Sequence, residues 1–467
     1  LYMKRNDQNQ SKITIQQHTT AVVSLVLIKI LLWKNENDQN QLVMDINCDL
    51  GRVLNYSRTA MDALHCISAV NLLGRNKDVG LSPASTLKTI TAAAALHYLG
   101  KDFIYRTLLQ YSGNLDDHGF LDGYIYIVGS GDPTLGSWRF DQTKPDLIIQ
   151  SWLEVIQHEG IKHCRGIVAD ISLWNSTQWM IDGYTWHDIG QYYGTGHNAV
   201  NWRENEFIIY IQPGKNVNDK ASIVRLEKPP PSITFINELT TSAANSSGDE
   251  DASLYLPPHG NIGYFRGRVA LDVPHNFSIR GSIPDAALYV TNELKQAMQE
   301  RNITVDEPCT IITSTQEHLT DRKTIHTHQS PTLDKIIFWF QQHSINMYGE
   351  LLIKKIAELK HVFSTTDGSG LSRDNRITTF AIARVLFSIQ KEDWFNEFYN
   401  SLPIINNIHM KSSTLNNVIS YAGYIQKQQN DGCAEIHNYV FSFILNNYNS
   451  ASAVMKSKVW ALLSNLK

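Results

Sequence analysis

The chain has few charged residues and almost no excess of one sign. Of its 467 residues only 18% are charged, and 41 Lys and Arg against 45 Asp and Glu leave a net charge of −4. Clusters of basic residues interleaved with aromatic ones are also lacking. Nucleic acids and anionic membrane surfaces attract proteins through excess positive charge. The composition therefore favours neither of them as a partner.

Cysteine is scarce and shows no ligand spacing. The five cysteines are Cys48, Cys66, Cys164, Cys309 and Cys433. Their odd number and wide scatter, without any C-x-x-C pair, predict buried free thiols. His326 and His328 alternate as neighbours on a strand would, but a zinc site needs further ligands nearby. We expect no metal and no cofactor.

Long apolar runs are lacking as well. The run from Ala21 to Trp33 is interrupted by Lys29 and is too short to span a membrane. Residues 1–39 are therefore interpreted as an N-terminal extension without a transmembrane anchor. Two readings of it stay open, a degraded export signal and an amphipathic helix.

A Ser-x-x-Lys segment stands at a predicted helix start. Ser82 is the predicted N-cap, Pro83 fits the first helical position, and Gly100 ends the helix. Lys88 follows Ser85 by three residues, so both side chains share one face. A lysine can activate a serine when burial or a nearby cation lowers its pKa. The alternative is an ordinary capped helix with an exposed lysine.

A Ser-x-Asn segment lies inside a second helical pattern, from Leu333 to Leu359. Positions two apart do not face each other on a helix. Ser344 and Asn346 can therefore meet at one site only if the helix breaks between them, and we predict such a break. The alternative is one uninterrupted amphipathic helix.

A Lys-Ser-Ser segment lies on a predicted strand. The strand from Ile408 to Thr414 is predicted to form a hairpin with Val418 to Ile425, and Tyr439 to Leu445 is a third strand. On an edge strand beside a nucleophile, Lys411 would offer a carboxylate a counter-charge, and Ser412 a hydrogen bond. Lys411 would also be the cation that lowers the pKa of a neighbouring amine. The alternative is a hairpin with a surface lysine.

The three segments match, in type and order, the S-x-x-K, S-x-N and K-T-G set of enzymes that act on D-alanyl peptides or β-lactams. The chain resembles the class C low-molecular-mass penicillin-binding proteins, the D-alanyl-D-alanine carboxypeptidase/endopeptidase family. The resemblance runs from about Val43 to the C-terminus. It is carried further by Pro83-Ala84-Ser85-Thr86, Gly129-Ser130-Gly131-Asp132-Pro133-Thr134-Leu135, Tyr192-Tyr193-Gly194, Asp367-Gly368-Ser369-Gly370-Leu371-Ser372-Arg373 and Tyr421-Ala422-Gly423-Tyr424.

The resemblance implies catalytic roles for residues of the first two segments. Ser85 would be the acylated nucleophile and Lys88 its base. Ser344 would relay the proton to the leaving group, while Asn346 would hold the substrate amide.

It also implies binding roles on the strand. Lys411 and Ser412 would bind the terminal carboxylate. The backbone N–H of Thr414 would join that of Ser85 in the oxyanion hole.

The implied fold is α+β, a penicillin-binding, β-lactamase-like domain whose antiparallel sheet carries helices on both faces. Far more residues separate the first two segments than such a domain needs. We therefore predict a discontinuous catalytic domain of residues 40–105 and 325–467, with a mostly β insert at 106–324. The implied partners are peptidoglycan peptides and β-lactams, and the implied location is periplasmic or otherwise extracytoplasmic.

The sequence departs from the family pattern in several places, and two of them bear on the structure described below. Ser413 stands where a small residue, usually Gly, lets the strand pass close to the nucleophile. Met61 to Gly80 looks like an extra piece, because Val43 to Asn47 and Arg52 to Asn55 already resemble the strand pair that leads into Pro83. Three functions are therefore weighed: an active DD-peptidase, a catalytically impaired peptidoglycan-binding relative, and a β-lactamase.

Overall fold

The computed structural model describes residues 64–69, 73–174, 180–231, 233–246, 252–314, 321–360, 367–428 and 436–464. The predictions made for residues 1–39, Val43 to Asn47 and Arg52 to Asn55 lie outside these ranges. None of the helices within them combines the length and apolar character that crossing a bilayer requires. Within them, too, no cluster of three or more His, Cys, Asp or Glu is arranged as metal ligands would be.

The elements alternate between helix-rich and strand-rich stretches along the chain. The helices are α1 Leu87–Leu99, α2 Pro145–His158, α3 Trp186–Ile189, α4 Ala286–Glu300, α5 Leu333–His343, α6 Asn346–Lys360, α7 Thr379–Ser388, α8 Phe395–Ser401 and α9 Ser452–Ser464. The strands are β1 Leu64–Ala69, β2 Leu73–Arg75, β3 Arg106–Leu115, β4 Phe120–Val128, β5 His163–Asp170, β6 Glu206–Gln212, β7 Ser222–Glu227, β8 Thr234–Asn237, β9 Thr240–Ser242, β10 Ala252–Tyr255, β11 Ile262–Ala270, β12 Ser278–Ser282, β13 Thr304–Val305, β14 Thr310–Ile312, β15 Lys323–Gln329, β16 Ile404–Ile405, β17 Ile408–Leu415, β18 Val418–Gln428 and β19 Ile436–Asn446.

The chain divides into two compact units. One combines the described residues before 103 with those from 333 onward, and the other contains residues 103–332. The assignment of a catalytic domain to residues 40–105 and 325–467 stays a prediction.

An antiparallel sheet with the order β16-β17-β18-β19-β1-β2 forms the centre of the first unit. Side chains alternate across a strand, so its two faces can pack against different helices. On one face Tyr421 and Phe443 pack with Val459 and Leu463 of α9. On the other face the Tyr424 hydroxyl donates to the carbonyl of Leu386 in α7, at 2.7 Å. The predicted sheet with helices on both faces is confirmed.

The hairpin of β17 and β18 and the third strand β19 form as predicted. The interpretation of Met61 to Gly80 as an extra piece is wrong, because β1 and β2 lie within it. Strand β1 pairs with β19 over the whole length of Leu64–Ala69. It thereby covers backbone N–H and C=O groups that would otherwise form an open sheet edge.

The second unit is mostly β, as predicted for the insert. Its sheets have the orders β13-β5-β4-β3-β15, β12-β6-β7 and β10-β11-β8, with β14 added to β5 and β9 to β11. Trp152 of α2 and Leu294 of α4 are fully buried in its apolar core, together with Ile125 and Ile167 of the central strands. His326 and His328 both lie in β15.

Candidate active site

The candidate nucleophile lies in a tight turn ahead of α1. Ala84–Thr86 form a 3-10 turn, and Ala84 adopts the left-handed region with φ +46°. A non-glycine residue in this region is uncommon and is typical of functional sites. Helix α1 follows directly and ends at Gly100, with φ +85°, as predicted. Ser85 itself is half-buried.

Ser82 does not cap the helix, contrary to the prediction. Its backbone N–H donates to Oδ1 of Asn446 at 2.9 Å, and its carbonyl accepts from Nδ2 of the same side chain at 3.1 Å. The start of the turn is thus fixed to the end of β19 rather than by a local cap.

The Lys88 amine has three oxygen atoms at hydrogen-bonding distance. They are Oγ of Ser85 at 3.0 Å, Oδ1 of Asn346 at 2.6 Å and the carbonyl oxygen of Ser369 at 2.7 Å. A neutral amine keeps two hydrogens and one lone pair. Because the two carbonyl-type oxygens can only accept, they hold both hydrogens, and the lone pair faces the Ser85 hydroxyl. This is the orientation that a general base for Ser85 requires.

Burial favours the neutral form of this amine. Lys88 is fully inaccessible to solvent. Desolvation lowers the pKa of Lys88 well below its usual value, and the positive charge of Lys411 lowers it further, while Asp367 and Glu350 oppose the shift. The predicted influence of Lys411 on the pKa of Lys88 is therefore confirmed.

Two buried acids hold the turn that presents the Ser369 carbonyl to Lys88. Oδ1 of Asp367 accepts the backbone N–H groups of Ser369 at 2.6 Å and Gly370 at 2.7 Å. The carboxylate of Glu350 accepts those of Gly368 at 2.8 Å and Ser369 at 2.9 Å. Burial, together with the neighbouring charge of Asp367, raises the pKa of Glu350 well above its usual value.

Gly370 brings this turn against the nucleophile's backbone. It has φ +89°, and a Cβ there would lie 1.9 Å from the carbonyl oxygen of Ala84. Only glycine fits both the backbone conformation and the space. The turn and the residue before Ser85 are therefore in direct contact.

The helix break predicted at the second segment is confirmed. Helix α5 ends at His343, α6 begins at Asn346, and Ser344 between them has φ +56°. Asn346, the first residue after the break, accepts a hydrogen bond from the Lys88 amine. Ser344 is half-buried, and in the described part of the chain its hydroxyl joins no hydrogen bond.

The third segment lies on β17, which is open on one side. Strand β16 pairs only with Ile408 and His409, so from Lys411 onward β17 has no strand partner on that side among the described residues. Lys411 is buried, its Nζ donates to the Ser412 carbonyl at 3.2 Å, and desolvation lowers the pKa of Lys411 to about 8.

The side chains of β17 alternate between the two faces of the sheet. Lys411 and Ser413 point to the face that carries the nucleophile turn, because the Ser85 N–H donates to Oγ of Ser413 at 2.5 Å. Ser412 points to the other face, opposite Tyr421. Thr414 is the next residue of the strand.

The structure thus brings Ser85, Lys88 and Asn346 into one hydrogen-bond network, with Lys411 close enough to act on Lys88 through its charge. Sequence reasoning missed the acids Glu350 and Asp367 and the role of the Ser369 carbonyl. A signal existed for the acids, because a Glu inside the apolar run of α6 and an Asp before Gly-Ser-Gly are unusual places for solvated charges.

A family model described as the D-Ala-D-Ala carboxypeptidase 3 (S13) family matches residues 54–366 and 361–465. The chain belongs to this S13 family. The predicted membership in the class C penicillin-binding proteins is thereby confirmed.

Two curated relatives of this S13 family member are similar over most of its length. D-alanyl-D-alanine carboxypeptidase of Actinomadura sp. (strain R39) is 22% identical over 361 residues, which cover 71% of the chain and 64% of that protein. D-alanyl-D-alanine carboxypeptidase DacB of Haemophilus influenzae is 24% identical over 419 residues, or 80% of the chain and 82% of that protein. The chain thus spans slightly less than two thirds of the Actinomadura protein.

The crystal structure of penicillin binding protein 4 (dacB) from Haemophilus influenzae shares the fold. It has a TM-score of 0.68 and 19% sequence identity, and covers 86% of the chain and 94% of the crystallised one. The predicted α+β fold with an inserted β region is confirmed by this similarity.

Proposed function

We propose that the chain is a serine DD-peptidase that cleaves peptidoglycan stem peptides through an acyl-enzyme on Ser85. The observation that carries this proposal is the Lys88 amine, which is buried, lowered in pKa and 3.0 Å from the Ser85 hydroxyl. A neutral amine in this position can accept the hydroxyl proton as the oxygen attacks a carbonyl.

In the acylation step, Oγ of Ser85 forms a bond to the carbonyl carbon of the D-alanyl residue, and the hydroxyl proton passes to Lys88. The carbonyl oxygen becomes an oxyanion, which the backbone N–H groups of Ser85 and Thr414 stabilise. The C–N bond then breaks, and the leaving amine receives a proton by way of Ser344. This leaves an ester on Ser85 that water hydrolyses, restoring the hydroxyl.

Substrate binding uses the strand side. The Lys411 ammonium pairs with the terminal carboxylate of the peptide, because a buried cation forms strong charge-assisted hydrogen bonds. The family resemblance implies that Ser412 binds the same carboxylate, and because its side chain alternates to the opposite face from Lys411 it would have to reach the carboxylate around the open edge of β17. Asn346 holds the substrate amide. The substrates are D-Ala-D-Ala ends, D-Ala-diaminopimelyl cross-links, or both, and penicillins acylate the same serine. Since these peptides lie outside the cytoplasmic membrane, so does the site of action.

A second candidate function is a peptidoglycan-binding protein with little turnover. One observation favours it: the Ser413 hydroxyl accepts a hydrogen bond from the Ser85 backbone N–H. In this case the groove would bind stem peptides without forming the acyl-enzyme at a useful rate.

A labelled penicillin separates the two candidates. We expect covalent labelling of the wild-type chain and its complete loss in Ser85→Ala, because the ester needs the Ser85 oxygen. The matched control is Ser442→Ala, which removes a buried serine hydroxyl of β19 that has no hydrogen-bond partner among the described residues. Labelling that persists in Ser85→Ala contradicts the acyl-enzyme on Ser85. Rapid turnover of nitrocefin would instead favour a β-lactamase.

A further inference from the structure

The Ser413 hydroxyl accepts a hydrogen bond from the Ser85 backbone N–H, a donor that the proposed reaction needs for the oxyanion. The distance from this nitrogen to Oγ of Ser413 is 2.5 Å. This N–H belongs to the first turn before α1 and carries no intrahelical partner. It is the group that would stabilise the oxyanion in the proposed reaction. An N–H gives its full strength to one acceptor only, so a substrate oxygen and the Ser413 oxygen compete for it.

The geometry points to Ser413 as a built-in occupant of the oxyanion hole, which a substrate carbonyl must displace before Ser85 is acylated. The inference rests on the proposed function and concerns the same site. The occupant is a consequence of one residue, because glycine at this position would carry neither the hydroxyl nor the Cβ. Ser413 therefore sets the rate at which the acyl-enzyme forms and, through the same oxyanion, the rate at which it is hydrolysed.

The surroundings of Ser413 make it unfavourable for its hydroxyl to leave the Ser85 N–H. The side chain is 6% exposed, so the hydroxyl leaves the N–H without gaining bulk water. In the described part of the chain its only hydrogen bond is the one from Ser85. Its cross-strand neighbour Ser420 is already engaged, donating to the Pro83 carbonyl at 2.5 Å and accepting from Thr86 at 3.2 Å. Rotation about the Cα–Cβ bond thus breaks the hydrogen bond from Ser85, and Ser420 cannot replace that donor because its proton is already given to the Pro83 carbonyl.

The effect is expected in the chemical step and not in substrate affinity. Carboxylate recognition lies at Lys411, two residues away on the same strand, and is unaffected by the Ser413 hydroxyl. The saturable binding of a penicillin should therefore stay constant while its acylation rate constant changes. A merely structural role of Ser413 would instead disturb both.

The test compares Ser413→Ala with Ser413→Gly by stopped-flow acylation with a labelled penicillin. Ala removes the hydroxyl and keeps the Cβ, whereas Gly removes both. We expect the acylation rate constant to rise about tenfold in both variants, the size that the net loss of one competing hydrogen bond corresponds to. The deacylation rate constant should also rise in both variants. Ser442→Ala is the control and should leave both rates within about twofold.

Each outcome decides the inference. Acceleration in both variants supports it, and so does labelling that appears in the variants but not in the wild type. Acceleration in Ser413→Gly alone overturns it, because the Cβ and not the hydroxyl would then be the obstacle. Unchanged rates with labelling that still depends on Ser85 overturn it and leave the proposed function standing. If Ser85-dependent labelling is absent from the wild type and both variants, the inference and the proposed function fail together.

Discussion

The helix side and the strand side of the candidate site differ in how well their polar groups are arranged for reaction. On the helix side, the Lys88 amine has acceptors in Asn346 and Ser369 and lies 3.0 Å from the Ser85 hydroxyl, and buried acids fix the turn that supplies the Ser369 carbonyl. On the strand side, the Lys411 amine donates to the neighbouring Ser412 carbonyl, and Ser413 accepts from the Ser85 N–H, which is the donor proposed for the oxyanion. In the proposed reaction, the groups that would transfer the proton are thus in place before substrate arrives, whereas the N–H that would stabilise the oxyanion has first to be freed from Ser413. We expect the strand side to limit the rate.

The largest effect should follow from removing Lys88, the proposed base on the helix side. In Lys88→Met the acylation rate constant should fall by about a thousandfold, within the range that general bases contribute. Met is unbranched and fills a similar apolar space. It also removes an amine whose burial costs free energy, so the urea midpoint should not fall. Stopped-flow labelling and urea unfolding measure the two quantities.

Lys77→Met is the matched control, since Lys77 lies outside the site and its side chain is 43% exposed. It should change neither quantity appreciably. A Lys88→Met protein that is acylated at the wild-type rate would mean that another group activates Ser85, and the contrast between the two sides would then lose its basis.

A smaller effect is expected from separating the turn at Ser369 from the nucleophile. In Gly370→Ala a Cβ would meet the Ala84 carbonyl oxygen at 1.9 Å, so either the turn or the residue before Ser85 has to move. Displacements of this kind cost activity because catalytic groups act over narrow distances. We expect the acylation rate to fall by about a hundredfold and the free energy of unfolding to fall by about 2 kcal/mol or more.

Gly100→Ala separates conformation from contact. Gly100 also has a positive φ, +85°, but nothing lies within 4 Å of a Cβ there. It should cost about 1–3 kcal/mol of stability, because φ +85° with ψ 150° is a backbone conformation that almost only glycine adopts, and it should leave acylation near the wild-type rate. Equal losses of rate in the two variants would show that the close approach to Ala84 has no catalytic importance.

The sequence was informative wherever an argument depended on spacing along one element. The three-residue step from Ser85 to Lys88 predicted their contact, and the two-residue step from Ser344 to Asn346 predicted the helix break. Both predictions are confirmed. The hairpin of β17 and β18 could also be predicted, because an Asn-Asn turn separates its two strands.

Features that depend on distant parts of the chain were not predictable in this way. Ser82 looks like an N-cap, but Asn446, 364 positions away, satisfies its backbone instead. The acceptor at Ser369 is a backbone carbonyl, which has no side-chain signature. For Ser413 the sequence indicated crowding, but only the fold shows that its hydroxyl meets the Ser85 N–H. The catalytic and binding roles of all the predicted site residues stay predictions; these residues are Ser85, Lys88, Ser344, Asn346, Lys411, Ser412 and Thr414.

The smallest effect should appear as a pH dependence on the strand side. Burial lowers the pKa of Lys411 to about 8, so its amine is charged below that pH and neutral above it. If the ammonium binds the terminal carboxylate, KM for an acyl-D-Ala-D-Ala peptide should be low below pH 8. Above pH 8 it should rise by about tenfold, as a charge-assisted hydrogen bond is lost.

The C-terminal amide of the same peptide should show a KM that is uniformly high and independent of pH. Lys411→Met should bring the carboxylate peptide to that same flat profile. A wild-type KM that rises equally for both peptides would assign the titration to another group, and the strand side would then lose its proposed part in carboxylate recognition.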